Sequence, residues 1–239
     1  PTKALLHAAQ EYEKLKDLEK LGIHVDGTGY DMDRIHLRKA EVVDQLVQGV
    51  NGLLEANGAD IIFGEAKVLS AGEVQVDDHI YQTDKILVAA GSAPARIPIP
   101  GIDTKGVVTS DELLEGEPTD YSSLVIIGGG VIGVEMATVY SALGCRVTIL
   151  EGLDRLVSVL DKEFSQNLKM NFKKKGVEVV VKANVTAIEE AEEGVRVIYD
   201  CKGKQESVCA QGVLVSVGRK PQTENLFAEG VMPQMNRGL

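Results

Sequence analysis

The stretch from Leu124 to Glu135 reads LVIIGGGVIGVE, and it decides the fold of the chain. A run of apolar residues typical of a buried strand leads directly into three glycines. Gly128, Gly130 and Gly133 have the spacing G-x-G-x-x-G. Between a strand and a helix, this spacing is typical of a loop that holds a pyrophosphate. The residues therefore predict a dinucleotide site, and the alternative is a glycine-rich turn that binds no ligand.

Each of these three glycines is expected to serve a different structural purpose. Gly128 makes the tight turn out of the strand, and Gly133 lets the helix lie close to the sheet. Gly130 has no Cβ, so a pyrophosphate can approach the backbone there. The free N–H groups and the positive end of the helix dipole would hold the phosphates.

Glu151 ends the next predicted strand, about twenty residues further along the chain, as the motif requires. A carboxylate there accepts hydrogen bonds from ribose hydroxyls and repels a 2′-phosphate, so the sequence favours NAD over NADP. Arg146 and Arg155 lie nearby in sequence, but Arg146 begins the strand and is expected at its far end. The alternative for Glu151 is a merely solvated carboxylate.

The residues after Leu124 alternate between strand and helix patterns, which is typical of a parallel, doubly wound sheet. Three β-prone segments then predict an antiparallel meander, and a buried strand follows. The predicted elements are strand 124–127, helix 131–143, strand 146–150, a helix capped by Asp161 and running to Lys175, strand 177–181, the meander VTAIEE, GVRVIYD and ESVCA, and the strand Gly212 to Gly218.

The first 120 residues have a different pattern. Apolar residues at helical spacing predict helices from Lys3 to Leu21 and from Asp31 to about Asn57. The second helix has one apolar face, which includes Leu46, Val50, Leu53 and Leu54, and from the residues alone both helices are expected to pack on a sheet. Short β-prone runs follow, namely IIF, KVL, EVQV, HIY and KILVAA. Gly91 to Gly101 contains three prolines and is predicted to be a linker without regular structure.

Composition and charge exclude several classes of function. Hydrophobic residues make up 44% and charged residues 26% of the 239 residues, as in soluble globular proteins. A net charge of -11 argues against a nucleic-acid partner, which would require a basic face. No apolar run approaches the roughly 18 residues of a membrane span, and no leader precedes the first helix, so we expect a cytoplasmic protein. The three cysteines and four histidines lack metal-ligand spacing, and no metal site is expected.

Several further segments make the sequence familiar as a whole. The segments PTKALLHAA, AAGSAP, VTSDELLE, IIGGGVIGVEMA, VTILE and VGRKPQTENL appear in order. Together they resemble the flavin-dependent pyridine nucleotide–disulfide oxidoreductases over the whole chain. The resemblance implies an α/β fold in which a Rossmann-like NAD domain, a three-layer unit of parallel sheet and antiparallel meander, is inserted in a partial FAD domain. The implied boundaries are 1–120 for the partial FAD domain, 121–216 for the NAD domain and 217–239 for the return segment.

The resemblance also implies where the cofactors bind. Lys3 would lie near the flavin and pair with Glu135, Val131 would stand beside the nicotinamide, and Val185 would line the adenine site. The implied NAD residues are Gly128, Gly129, Gly130, Val131, Ile132, Gly133, Val134, Glu135, Glu151, Val185 and Gly218. The implied FAD residues are Lys3, Ala66, Ala90, Gly91 and Ser92, with Ala90 in place of a family threonine.

Within the family, this set of motifs together with Glu151 resembles the NAD-linked members that oxidise dihydrolipoamide. Such an enzyme uses a redox disulfide and FAD, works as a homodimer and serves a 2-oxo acid dehydrogenase or glycine cleavage complex. The redox cysteine pair is expected before Pro1 and the His–Glu pair after Leu239, so no catalytic residue is expected within the chain. We therefore expect an inactive, colourless chain. The apolar surface on both helices of residues 1–120 is expected to be exposed, paired with a second copy or disordered. The alternatives are a mercuric or another disulfide reductase, and a non-catalytic NAD-binding module.

Overall fold

The computed structural model describes residues 1–235, so the last four residues of the predicted return segment lie outside the described part. The contacts divide the chain into two compact units. The first contains residues 1–44 and 94–218, and the second contains residues 45–93 and the segment that begins at Arg219. Each unit is described by itself.

The helices and strands are numbered in chain order. The helices are α1 (Thr2–Leu18, extended by a 3-10 turn at Glu19–Leu21), α2 (Met32–Ala56), α3 (Ser110–Glu115), α4 (Val131–Ala142) and α5 (Lys162–Lys174). The strands are β1 (Ala66–Ser70), β2 (Glu73–Val76), β3 (His79–Gln82), β4 (Ser92–Pro94), β5 (Val107–Thr109), β6 (Ser123–Ile127), β7 (Arg146–Glu151), β8 (Glu178–Val181), β9 (Ala183–Ala191), β10 (Gly194–Cys201), β11 (Lys204–Ala210), β12 (Gly212–Val215) and β13 (Arg219–Pro221).

The first unit is built on a parallel sheet of five strands in the order β5-β12-β6-β7-β8. The antiparallel meander β9-β10-β11 forms a second sheet. This α/β architecture, with a parallel sheet and an antiparallel meander, confirms the predicted fold class. β6 is buried along its whole length, which explains its unbroken apolar sequence, because both of its faces are covered.

Alternate residues of β6 belong to two different cores on opposite faces of the sheet. Leu124 and Ile126 pack with residues of α1 and α4, such as Leu5 and Met136. Val125 and Ile127 pack with the meander, including Val195 and Val197. The parallel sheet is therefore the middle of three layers, with helices on one side and the meander on the other. This arrangement follows from the period of two along a strand.

Two elements beside the parallel sheet were absent from the sequence predictions. β5 adds an edge strand next to β12, and α3 follows it directly. The start of α3 has a capping box, in which the Thr109 hydroxyl accepts from the Glu112 N–H and the Glu112 carboxylate accepts from the Thr109 N–H. Asp161 stands at the N-cap of α5 as predicted, but its side chain makes no capping hydrogen bond.

The second unit corrects three predictions in the first 120 residues. The runs IIF (61–63) and KILVAA (85–90) form no strands, and Phe63 and Leu87 are 86% and 92% exposed. β propensity alone does not make a strand, because each strand needs a hydrogen-bonded neighbour. Conversely, the linker from Gly91 to Gly101 contains β4, which pairs with β13.

The second helix, α2, has the predicted bounds but not the predicted burial. Its buried residues are Met32, His36 and Lys39, near its beginning. Further along, the apolar residues that were predicted to form one packed face are exposed, among them Leu46, Val50, Leu53 and Leu54. This apolar face is thus exposed, which is one of the outcomes that the family resemblance implied, and is not packed on a sheet as the residues alone predicted. Within residues 1–235, no helix has the length and hydropathy needed to cross a lipid bilayer.

Candidate dinucleotide site

A cavity of about 520 Å³ opens in the first unit at the carboxyl ends of the parallel strands. Its wall includes the loops that follow β6, β7 and β12. The chain leaves β6 toward β7 and β8 on one side, whereas β12 pairs with β6 on the other side. The cavity therefore lies at the point where the strand order reverses, which is where open α/β sheets bind their ligands.

The structure brings most of the predicted NAD residues together around this cavity. The residues in its wall are Gly128, Gly129, Gly130, Val131, Ile132, Glu151, Val185 and Gly218. Gly133 and Val134 lie within α4, where they are buried. Glu135 is also outside the wall, and its carboxylate forms an ion pair with Lys3 of α1.

The geometry of two glycines explains why no larger residue fits there. Gly128 has a φ of 106°, and a Cβ on it would lie 2.5 Å from the Ser216 carbonyl oxygen. A Cβ on Gly133 would lie 2.0 Å from the Gly128 carbonyl oxygen and 2.9 Å from Ser216 Oγ. These contacts show that α4 begins in close backbone contact with the turn after β6, as the motif predicts.

The surroundings of Gly130 are different, because a Cβ on it would have no atom within 4 Å. Gly130 is the N-cap of α4 and offers no side chain to the helix. The first hydrogen bond of the helix is donated by Val134 to Gly130, so the amides of Val131, Ile132 and Gly133 have no partner within the helix. An open cradle beside unsatisfied N–H groups at a positive helix end is a suitable site for a phosphate.

The carboxylate of Glu151 lies at the same cavity and is held by two backbone amides. Its Oε2 accepts from the Gly129 N–H at 2.6 Å, and its Oε1 accepts from the Leu153 N–H at 2.6 Å. Glu151 is therefore not merely a solvated carboxylate, because both of its oxygens accept hydrogen bonds from backbone amides. Arg146 lies at the other end of β7 and contributes to a separate cavity with Ser123.

Lys3 and Glu135 form the ion pair that the resemblance implied. The Lys3 side chain is exposed, whereas the Glu135 side chain is mostly buried. The pair joins α1 to α4, which also pack together through apolar residues. Its contribution to folding is small, because exposed ion pairs are screened by solvent.

The other predicted FAD residues belong to the second unit. Ala66 begins β1, while Ala90 and Gly91 lead into Ser92 at the start of β4. The Ser92 hydroxyl accepts from Arg219 Nε at 2.8 Å. These contacts connect the two strands β4 and β13, and the structure places Ala66 on a different strand from Ser92.

Sequence reasoning missed two residues that shape the glycine-rich loop. Ser216 Oγ lies 3.1 Å from the Ile127 carbonyl oxygen and 3.0 Å from the Gly128 carbonyl oxygen. Val157 is buried and donates its N–H to the Gly129 carbonyl at 2.8 Å. A serine at the end of an apolar strand pattern was a visible signal for Ser216, whereas nothing in the local sequence indicated Val157.

The three cysteines, Cys145, Cys201 and Cys209, are free, and the first two are buried. Burial raises the pKa of the Cys145 thiol to about 12, so this thiol is a poor nucleophile. Across the described residues, no group of three or more His, Cys, Asp or Glu side chains is arranged to hold a metal ion.

Comparison with known proteins agrees with this fold. The sequence model of the family described as "Pyridine nucleotide-disulphide oxidoreductase" matches residues 1–238. The chain therefore belongs to the pyridine nucleotide–disulfide oxidoreductase family.

Particular relatives are informative about the branch of the family. The dihydrolipoyl dehydrogenase of Geobacillus stearothermophilus is 38% identical over 244 residues, which cover 100% of this chain and 52% of that protein. The dihydrolipoyl dehydrogenase of Staphylococcus aureus is 34% identical over 232 residues, covering 93% of this chain and 48% of that protein. The chain thus spans about half the length of these curated relatives.

A solved structure has a similar fold. The flavoprotein disulfide reductase RclA from Escherichia coli, in a complex with Cu(II), has a TM-score of 0.79 and 29% identity, covering 100% of this chain and 50% of that chain.

Family membership makes FAD and NAD the cofactors of this protein. The dinucleotide site fits NAD on geometric grounds. Gly130 leaves room for a pyrophosphate beside the free amides of α4, and the Glu151 carboxylate lies in the wall of the same cavity.

Proposed function

We propose that this chain is the NAD-binding portion of an FAD-dependent enzyme that oxidises dihydrolipoamide and reduces NAD. The observation that carries the proposal is the meeting, in one cavity, of the open Gly130 cradle and the Glu151 carboxylate. The dihydrolipoyl dehydrogenases at 34–38% identity support dihydrolipoamide as the substrate. The division into a partial FAD domain (1–120), an NAD domain (121–216) and a return segment (217–239) belongs to the same proposal.

In this proposal, NAD lies across the carboxyl ends of β6, β7 and β12. The amides at the start of α4 bind the pyrophosphate, and the Glu151 carboxylate accepts hydrogen bonds from the ribose hydroxyls. Val185 is placed at the adenine end, and Gly218 at the nicotinamide end. Val131, which is 52% exposed at the first turn of α4, has a side chain free to contact the nicotinamide.

Bound FAD would supply the redox chemistry: it would take an electron pair from the dithiol that forms when dihydrolipoamide reduces the redox disulfide, and would pass that pair to NAD as a hydride. Lys3 contributes a positive charge near the flavin, and Glu135 fixes the position of that ammonium group. Ala66, Ala90, Gly91 and Ser92 provide contacts to FAD. The exposed apolar residues of α2 and of residues 61–63 and 85–90 support the assignment of the second unit to a domain that is completed by other segments.

A second candidate function is reduction of another disulfide or of mercuric ion. The similarity to RclA favours it, because that protein is a flavoprotein disulfide reductase of comparable fold. Both candidates use the same dinucleotide site, so they differ in the substrate and not in the role of Glu151. A non-catalytic NAD-binding module is the remaining alternative.

The specificity for NAD is tested by calorimetric titration of the chain with NADH and NADPH. We expect NADH to bind at least about tenfold more tightly, which corresponds to about 1.4 kcal/mol. Glu151→Ala should lower the affinity for NADH and reduce the difference between the affinities for NADH and NADPH. The substitution removes both the acceptor for the ribose hydroxyls and the charge that repels a 2′-phosphate. Glu178→Ala, which removes an exposed carboxylate at the opposite end of β8, is the matched control. Equal affinity of the unaltered chain for the two nucleotides would contradict the assignment.

The proposed place of this chain within a larger enzyme has its own test. In this proposal the purified chain is colourless, because the resemblance assigns part of the FAD site to segments outside residues 1–239. It leaves dihydrolipoamide unoxidised, because none of its three cysteines matches the redox pair of the family. Flavin absorbance in the purified chain, or NADH formation from dihydrolipoamide, would refute this part of the proposal and leave the NAD site unaffected.

A further inference from the structure

The middle glycine of the loop, Gly129, is bonded through both of its backbone groups to the segment after β7. Its N–H donates to Glu151 Oε2 at 2.6 Å, and its carbonyl accepts from the Val157 N–H at 2.8 Å. The other oxygen of Glu151 accepts from the Leu153 N–H at 2.6 Å. One carboxylate therefore ties the glycine-rich loop to the segment that follows β7.

The packing around Gly129 shows that this connection is close. A Cβ on Gly129 would lie 2.4 Å from Leu156 Cδ2 and 3.1 Å from Glu151 Oε2. Val157 adopts a φ of 41°, a conformation that a β-branched residue avoids, and its side chain is buried. Such a backbone persists only where the surrounding contacts impose it, and here the Val157 N–H is directed at Gly129.

These bonds change the assignment of phosphate donors. The Gly129 N–H is already directed at Glu151, and the Gly128 N–H donates to the Leu150 carbonyl at 2.9 Å. The donors that remain for a pyrophosphate are Gly130 and the first residues of α4, Val131 and Ile132. Each carboxylate oxygen of Glu151 keeps a second lone pair, so it can accept from a ribose hydroxyl without releasing the backbone amide.

We propose that Glu151 is a positioning residue for the phosphate-binding loop, in addition to its role as the ribose ligand. This inference rests on the proposed NAD site. The carboxylate holds Gly129 so that the neighbouring amides of Gly130, Val131 and Ile132 are arranged for a diphosphate before any ligand arrives. Loss of Glu151 therefore weakens the binding even of a ligand that has no ribose.

The test is a titration with inorganic pyrophosphate, followed by phosphorus NMR at constant ionic strength. If Glu151 acted only on the ribose, Glu151→Ala would leave pyrophosphate binding unchanged or strengthen it, because a negative charge is removed from beside an anion. The positioning role predicts the opposite sign, a weakening of at least about threefold. The pyrophosphate affinity of Glu151→Gln should lie between those of the unaltered chain and Glu151→Ala. The glutamine oxygen can still accept one of the two backbone N–H groups, whereas its NH₂ group faces the other. Glu178→Ala again serves as the control and should change nothing.

A second measurement requires no ligand. The amide of Gly129 should exchange with deuterium at least about tenfold faster in Glu151→Ala than in the unaltered chain, while amides of β6 keep their rates. Unchanged Gly129 exchange, or undiminished pyrophosphate affinity in the alanine variant, would overturn the positioning role. Failure of the unaltered chain to bind both NADH and pyrophosphate would refute the proposed NAD site itself.

Discussion

Gly130 and Gly133 lie three residues apart at the start of α4, yet they should respond differently to substitution by alanine. Gly133 lies against the backbone of the preceding turn, whereas the space around Gly130 is open. Gly133→Ala should therefore lower the stability of the fold. Gly130→Ala should preserve stability and lower the affinity for NADH.

The structure gives the size of the effect at Gly133. The new methyl group would lie 2.0 Å from the Gly128 carbonyl oxygen, and a backbone atom cannot move aside as a flexible side chain can. Overpacking of this kind typically costs 1–3 kcal/mol, and a backbone clash belongs at the upper end, so we expect about 3 kcal/mol. That is more than a hundredfold in the unfolding equilibrium, since about 1.4 kcal/mol corresponds to a factor of ten.

The effect at Gly130 has a different origin. Its φ of -72° and ψ of -173° are accessible to alanine, and no atom lies within 4 Å of the new methyl group. We therefore expect the free energy of unfolding to change by no more than about 0.5 kcal/mol. The methyl group would occupy the space proposed for the pyrophosphate, so NADH should bind at least about tenfold more weakly, by about 1.4 kcal/mol.

Urea denaturation followed by circular dichroism measures the first quantity, and calorimetric titration with NADH measures the second. Both variants and the unaltered chain are compared in the same buffer. A Gly133→Ala variant as stable as the unaltered chain would show that the close backbone contact is wrong. A Gly130→Ala variant that binds NADH with undiminished affinity would show that the pyrophosphate lies elsewhere.

Three further outcomes are expected. Burial and the nearby Lys39 lower the pKa of His36 below its ordinary 6.5, so the unfolded chain takes up this proton at a higher pH than the folded chain does. The free energy of unfolding should therefore fall as the pH drops below about 6.5. In urea titrations His36→Gln should make that fall smaller, and an unchanged pH dependence would contradict the expectation. A thiol reagent should modify exposed Cys209 in the native chain and buried Cys145 only after unfolding. Mass spectrometry identifies the modified residue, with Cys209→Ser as the control, and labelling of Cys145 in the native chain would contradict its burial. The side chain of Leu53, on the exposed apolar face of α2, is 66% exposed. Leu53→Lys should therefore reduce any self-association measured by light scattering without changing the affinity for NADH, and a loss of folding would show that this side chain is packed.

Local patterns in the sequence were sufficient for the central βαβ unit. β6, α4 and β7 combine an apolar strand, a glycine turn and a helix with close bounds, and each of these signals acts between residues that are near in sequence. The same is true of the three glycines, because a tight turn and a close helix approach are properties of the local backbone. The ends of the long helix α2 were predictable for the same reason.

Elements that depend on distant partners were not predictable. β5 is a strand because β12 lies beside it, whereas KILVAA (85–90) has stronger β propensity and remains without a strand neighbour in the structure. The ion pair of Lys3 with Glu135 was expected only from the family resemblance, since 132 residues separate the two in sequence.

The sequence by itself determined that a phosphate-binding turn and an acidic residue exist, because glycine spacing and residue type carry that information. Only the tertiary structure decided that the Glu151 carboxylate holds the amide of Gly129, and that Val157 adopts a left-handed backbone to reach the same glycine. The physical reason is that these hydrogen bonds join the ends of separate strands, and their geometry is set by how the sheet packs rather than by any neighbouring residue.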